Sequence, residues 1–260
     1  MKKQFYTLVF IALAISTMVN AQVSKDEIRQ MTAMAYLTKS QTLWTNALQK
    51  ATAFRNENPT GTEGDYIYLN TLYGLIYSTI AGKDKETYSK YIDLAEKETE
   101  QLMEKNPGDA RFVCIRAGLY SASMAHNPWK GMFYGPKSSE LIEKAIGLKP
   151  DLPQCAVRKA NSLYFTPENY GGDIKKSMEV YSKSIALFEA VDTQPANNWE
   201  YLDALAWYGI SQMKNGKNEE AKTTFEKALR VRPDFHWVKN VLLPEALKKL
   251  QNTSPDTNKE

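Results

Sequence analysis

Two histidines, two cysteines and a scatter of aromatic residues are the side chains of this 260-residue sequence that invite a chemical reading. His126 and His236 have no second histidine or cysteine at metal-ligand spacing, so the pattern does not point to a zinc site. His126 precedes Asn127-Pro128 at the predicted end of a helix, where a cationic ring suits the helix dipole. No serine sits in a Gly-x-Ser-x-Gly elbow. Gly171-Gly172 lacks the spaced third glycine and the Lys-Ser/Thr pair of a phosphate loop. Its structural reading is a tight turn, with Asp173 capping a helix that begins at Ile174. Glu219 and Glu220 fall at a helix start, where negative charge is stabilising without any acid–base role. Cys114 and Cys155 each lie early in a predicted helix among apolar neighbours. They read as buried free thiols, and a bridge would need their Cα atoms within about 7 Å. The expectation is a protein with no catalytic residues, no metal and no cofactor.

The enriched feature is aromatic. Trp129, Phe133, Tyr134, Phe165 and Tyr170 cluster around two irregular segments, 127–136 and 166–173. The default reading is that these segments fold back over the core as a satellite cluster. The functional reading is a partner-binding rim, since Trp and Tyr supply large contact area. Tyr66, Tyr73, Tyr77 and Tyr120 read as core or groove.

The elements that position these residues read as helices almost throughout. In 219–231, Ala221, Phe225, Ala228 and Leu229 share one face, and Lys222, Glu226, Lys227 and Arg230 take the other. Leu141, Ile142, Ala145 and Ile146 repeat that spacing. Asn106-Pro107-Gly108-Asp109, Lys149-Pro150-Asp151 and Arg232-Pro233-Asp234 each follow such a helix. Proline ends it, and aspartate is suited to cap the next. Three junctions of one type indicate a repeating unit. Leu205, Tyr208, Gly209, Gln212, Ala221, Phe225, Ala228 and Pro233 fit the tetratricopeptide pattern over 202–235, with leucine and glutamine replacing two of its aromatic positions.

The expected fold is therefore all-α: a right-handed superhelical array of about five antiparallel helix hairpins with a C-terminal capping helix. The hairpins fall at about 25–57, 65–105, 109–148, 152–190 and 198–232. The cap covers about 235–250, with Pro244 as a candidate break, and a disordered tail runs over 251–260. In the repeat register, Arg158, Ser162, Asp203, Ala206 and Ile210 line a concave groove.

The N-terminus carries Lys2 and Lys3, an apolar run from Leu8 to Ile15, and Val19-Asn20-Ala21. That order reads as a cleaved signal peptide, 1–21, with the cut after Ala21. The run is shorter than the roughly 20 residues of a spanning helix, so no stable membrane insertion is expected. The domain then occupies 22–250 and is periplasmic or secreted. Formal net charge is +3 and no polybasic block is present, which disfavours nucleic acid as a partner.

Tyr134-Gly135-Pro136-Lys137, together with Thr166-Pro167-Glu168 ahead of Tyr170-Gly171-Gly172-Asp173, is similar to exported tetratricopeptide repeat proteins of the Bacteroidetes type. The same proline and Gly-Gly-Asp arrangement carries a more distant likeness to the periplasmic T component of TRAP transporters. Members of that group are typically lipid-anchored, and no cysteine stands near the cut here. The resemblance implies a fold and an exported compartment but no settled activity; the concave surface of stacked hairpins points to a scaffold that binds an unidentified protein or peptide in the cell envelope. A small-molecule binding protein serving an envelope transporter is the alternative. The partner-contacting candidates are Trp129, Phe133, Tyr134, Tyr170, Arg158, Ser162 and Asp203.

Overall fold

A helix with one apolar stripe must bury it against a neighbour, and this chain does so in consecutive antiparallel pairs. The computed structural model describes residues 23–253, so the signal-peptide reading and residues 254–260 of the tail lie outside the described residues. The pairs are α1 (Lys25–Thr38) with α2 (Gln41–Glu57), α3 (Glu63–Gly82) with α4 (Lys85–Lys105), and α5 (Ala110–His126) with α6 (Gly131–Leu148). They continue with α7 (Pro153–Phe165) and α8 (Ile174–Val191), then α9 (Trp199–Lys214) and α10 (Asn218–Val231). The final helix, α11 (Leu243–Thr253), packs on α10. No strand occurs among the described residues. The chain is an all-α helical-repeat fold, as the punctuation indicated.

Local chemistry explains the boundaries. Ser24, Ser40, Asp84, Asp109, Asp173 and Asn198 each cap the helix that follows with a side-chain oxygen. Of the three Pro-Asp junctions, only the first uses its aspartate this way: Asp109 accepts from the Arg111 N–H at 3.0 Å. The cap position of α7 is Leu152, and Asp234 instead holds Arg232 at 2.7 Å. The break at Pro244 takes a specific form. A π-helical turn at Val238–Leu242 precedes α11, which absorbs the missing proline N–H within the ladder. Residues 251–253, expected to begin the tail, instead complete α11.

Within a hairpin the two helices come close where a small residue allows it. At Gly209 a Cβ atom would stand 2.2 Å from Phe225 Cε1, so α9 meets α10 at a distance only glycine permits.

The inner helices α1, α3, α5, α7 and α9 each pack on the next, and α1 also packs on α9. The array therefore closes on itself. Arg29 donates to Asp192 at 2.6 Å and to the Gln194 carbonyl at 3.2 Å. Tyr36 donates to Asp203 at 2.9 Å, and its ring meets Phe235 edge-on at 5.9 Å. Arg232 donates to Met34 Sδ of α1 at 3.0 Å. The first and fifth hairpins are thus joined, and Ala33 and Leu37 of α1 belong to the same apolar cluster as Leu202, Leu205 and Phe225.

Candidate functional site

The repeat register placed Arg158 and Asp203 on the inner face, and that is where they lie. Ring closure changes what the inner face is. Arg158 is 4% exposed and Asp203 3% exposed, so neither lines an open groove. Ala206 is buried as well, while Ser162 and Ile210 are half-buried. The groove contacts expected of Arg158 and Asp203 are corrected to interior contacts. Once α1 meets α9, the concave flank becomes a lumen, and aromatic side chains fill its centre.

Trp199 is the hub of that lumen. Its ring lies 5.6 Å from Trp44, 5.6 Å from Tyr77, 6.0 Å from Tyr73 and 6.1 Å from Tyr36, within the range of favourable aromatic pairs. Beside it, the Arg158 guanidinium stacks on Tyr73 at 4.4 Å and reaches Glu200 at 2.8 Å. Buried charges require such partners. Asp203 accepts hydrogen bonds from Tyr36 at 2.9 Å and from Tyr77 at 3.1 Å.

Burial pushes the Asp203 carboxyl up to about 7, with neighbouring Glu200 adding to the rise and the two tyrosine hydroxyls and Arg158 pulling it back. Burial likewise raises Tyr36 and Tyr77 well above the ordinary tyrosine range. A carboxyl poised near neutrality is a common mark of an active site. Here it is enclosed by its own hydroxyl partners and serves as the joint between α1, α3 and α9.

Other chemistry-bearing residues make contacts within the fold. His126 stands at the end of α5, stacked on Tyr88 at 4.1 Å, with Nε2 2.7 Å from the Thr79 hydroxyl. Burial lowers its basicity. Cys114 and Cys155 are buried free thiols, and the neighbouring Cys114 together with burial raises the Cys155 thiol. Gly171 takes φ +93°, and a Cβ on Gly172 would overlap the Thr166 carbonyl at 1.7 Å. Asp173 then caps α8 by accepting from the Lys176 N–H at 2.9 Å. No cluster of metal-ligating side chains occurs among the described residues.

The aromatic segments behave differently from the default expectation. Trp129 is 83% exposed, Phe133 68%, Tyr170 78% and Phe165 57%, with Met132 at 73% beside the first two. Only Tyr134 of the set turns inward, to half-burial against Tyr120 at 4.6 Å, with Lys130 over its ring at 5.2 Å. A 3₁₀ turn at Pro128–Lys130 runs straight into α6 and presents Trp129, Met132 and Phe133 outward. Phe165 leads into a further row: it meets Trp207 at 4.8 Å, and Trp207 meets Trp237 at 6.1 Å. Trp207 and Trp237 escaped the sequence reading because each sits in an ordinary helical pattern. No local signal marks that the two rings meet across separate helices.

No family profile matches the chain, and no curated protein matches it by sequence. Solved structures do match. The haemophore HusA of Porphyromonas gingivalis superposes with a TM-score of 0.58 at 18% identity, over 75% of this chain and 96% of that one. A thermophilic TPR protein of Thermus thermophilus superposes with a TM-score of 0.54 at 14% identity, over 88% of this chain and 100% of that one. At these identities the likeness is one of fold.

Proposed function

We propose that this chain is an exported helical-repeat scaffold that docks a protein or peptide partner through its aromatic edge and performs no catalytic step of its own. The observation that carries the reading is the exposure of Trp129 (83%), Phe133 (68%) and Tyr170 (78%) on neighbouring hairpins. Apolar groups left uncovered at this scale mark interaction sites, and Trp and Tyr are the side chains that anchor interfaces. The centre of the lumen contributes little to protein docking, because Trp199 and its neighbours fill it. The strongly perturbed carboxyl, Asp203, is sealed from any substrate. No described helix is long and apolar enough to cross a membrane.

Export rests on Lys2, Lys3, the Leu8–Ile15 run and Ala21, with the mature start at Gln22. A haemophore and a TPR protein as structural neighbours are consistent with a binding role of this kind. The test uses the mature chain as bait against envelope extract, beside the W129A/F133A/Y170A triple variant. A partner held at moderate salt by the wild type and lost by the variant is the expected result. Equal capture by both, or capture by neither, overturns the reading.

A further inference from the structure

The inner helices run parallel, so their N-termini share one mouth of the ring, opposite the aromatic edge. That mouth holds a cavity of about 360 Å³, near the lower end of the range for small-molecule sites. Its walls come from every inner helix, through Ile28, Tyr66, Arg111, Gln154 and Trp199 among others. At its floor is Glu200, 1% exposed.

The polar groups there are unevenly matched. Glu200 Oε1 faces Arg158 at 2.8 Å, but Oε2 receives only a long contact from Asn70 Nδ2 at 3.4 Å. A carboxylate has acceptor capacity well beyond that. Asn70 Oδ1 and Gln154 Oε1 are buried without a hydrogen-bond partner among the described residues. Buried acceptors left unmatched are costly, and two such oxygens beside the under-used Glu200 carboxylate ask for a donor-rich cation.

The rim has the opposite character. Lys25 pairs with Glu63, Arg29 with Asp192, and Arg111 with Asp109 and Glu63. Lys149 lines the same cavity and has no carboxylate partner among the described residues. Both α3 and α7 begin at this mouth with no side-chain cap, which leaves first-turn N–H groups suited to an anion.

We propose that this mouth binds a small zwitterion, an amino acid or short peptide, with its ammonium group against Glu200, Asn70 and Gln154 and its carboxylate toward Lys149. The site is separate from the aromatic edge and does not depend on a docked partner.

Calorimetric titration of the mature chain with L-alanyl-L-alanine, its N-acetyl derivative and its C-terminal amide tests this. The dipeptide is expected to bind. Acetylation and amidation each weaken binding at least about tenfold, the worth of one charge-assisted contact. Asn70→Ala weakens the dipeptide and the amide alike. Lys149→Met, at an exposed position, weakens the dipeptide but leaves affinity for the amide unchanged. The W129A/F133A/Y170A variant binds all three as the wild type does. Absence of heat with the dipeptide, or equal affinity for the acetylated form, overturns the proposal, with circular dichroism of each variant confirming that it is folded.

Discussion

Arg158 on α7 and Glu200 on α9 meet at 2.8 Å with side chains 4% and 2% exposed, which makes them the most deeply buried ion pair among the described residues. Neither makes a second ion pair there. The pair therefore fixes the register of α7 against α9, and the Tyr73 ring closes the third side at 4.4 Å from the guanidinium.

Removing one member leaves the other buried and unpaired. Arg158→Ala and Glu200→Gln are each expected to destabilise the fold by about 3–5 kcal/mol. Replacing both together with methionine and leucine recovers most of that loss. Urea denaturation of the two single variants and the double variant measures it, and a double variant no better than the singles would contradict the pairing argument.

Stability should depend on pH through Asp203. Its folded value of about 7 lies above the ordinary 3.8 because burial disfavours the ionised form. The folded state therefore binds a proton that the unfolded chain has released. The contribution is fully present below about pH 4 and is lost as pH rises through about 7. Unfolding free energy is expected to fall between about pH 5 and pH 8. Asp203→Asn, which keeps the shape and cannot ionise, flattens that slope. The paired carboxyls Asp109, Asp192 and Glu189 are held below their usual range, so their own effect has the opposite sign and lies at more acid pH. Chemical denaturation at about pH 5 and pH 8 separates the two.

Gly209→Ala places a methyl group where Phe225 already sits. The expected cost is about 1–3 kcal/mol of overpacking. Phe225→Leu in the same chain relieves part of it, so the two substitutions are non-additive. Thermal melts of the four combinations give the coupling directly.

Cys114 and Cys155 should not react with an aromatic disulfide reagent in the native protein, because both are buried. In urea without reductant, two thiols per chain are expected to appear. A count of none would mean that the purified protein carries a bridge.

The boundaries of the helices were legible because they are written locally. The Pro-Asp and Gly-Gly-Asp junctions, and the small–large alternation of Gly209 and Phe225, act over a few residues. So the five hairpins and the cap emerge close to their final limits. Closure of the ring was not legible. It depends on Arg29 meeting Asp192 and Tyr36 meeting Asp203, pairs separated by 163 and 167 residues, and no local pattern distinguishes those side chains from ordinary helix surface. The register correctly turned Arg158 and Asp203 inward, but inward means interior once α1 covers the opening. The aromatic segments failed differently. Trp129 and Phe133 have the types expected of a covering flap, and only the direct run of the 3₁₀ turn into α6 aims them at solvent.

Closure also alters how the molecule can assemble. In an open array each hairpin depends on its neighbours alone, and order can spread from any point along it. Here α1 completes its packing only when α9 is in place, so the first helix made must wait for one near the end of the chain. Contacts across so large a separation slow folding. They also bind the two ends into one cooperative unit, and a growing or threading chain stays pliable until its last hairpin arrives.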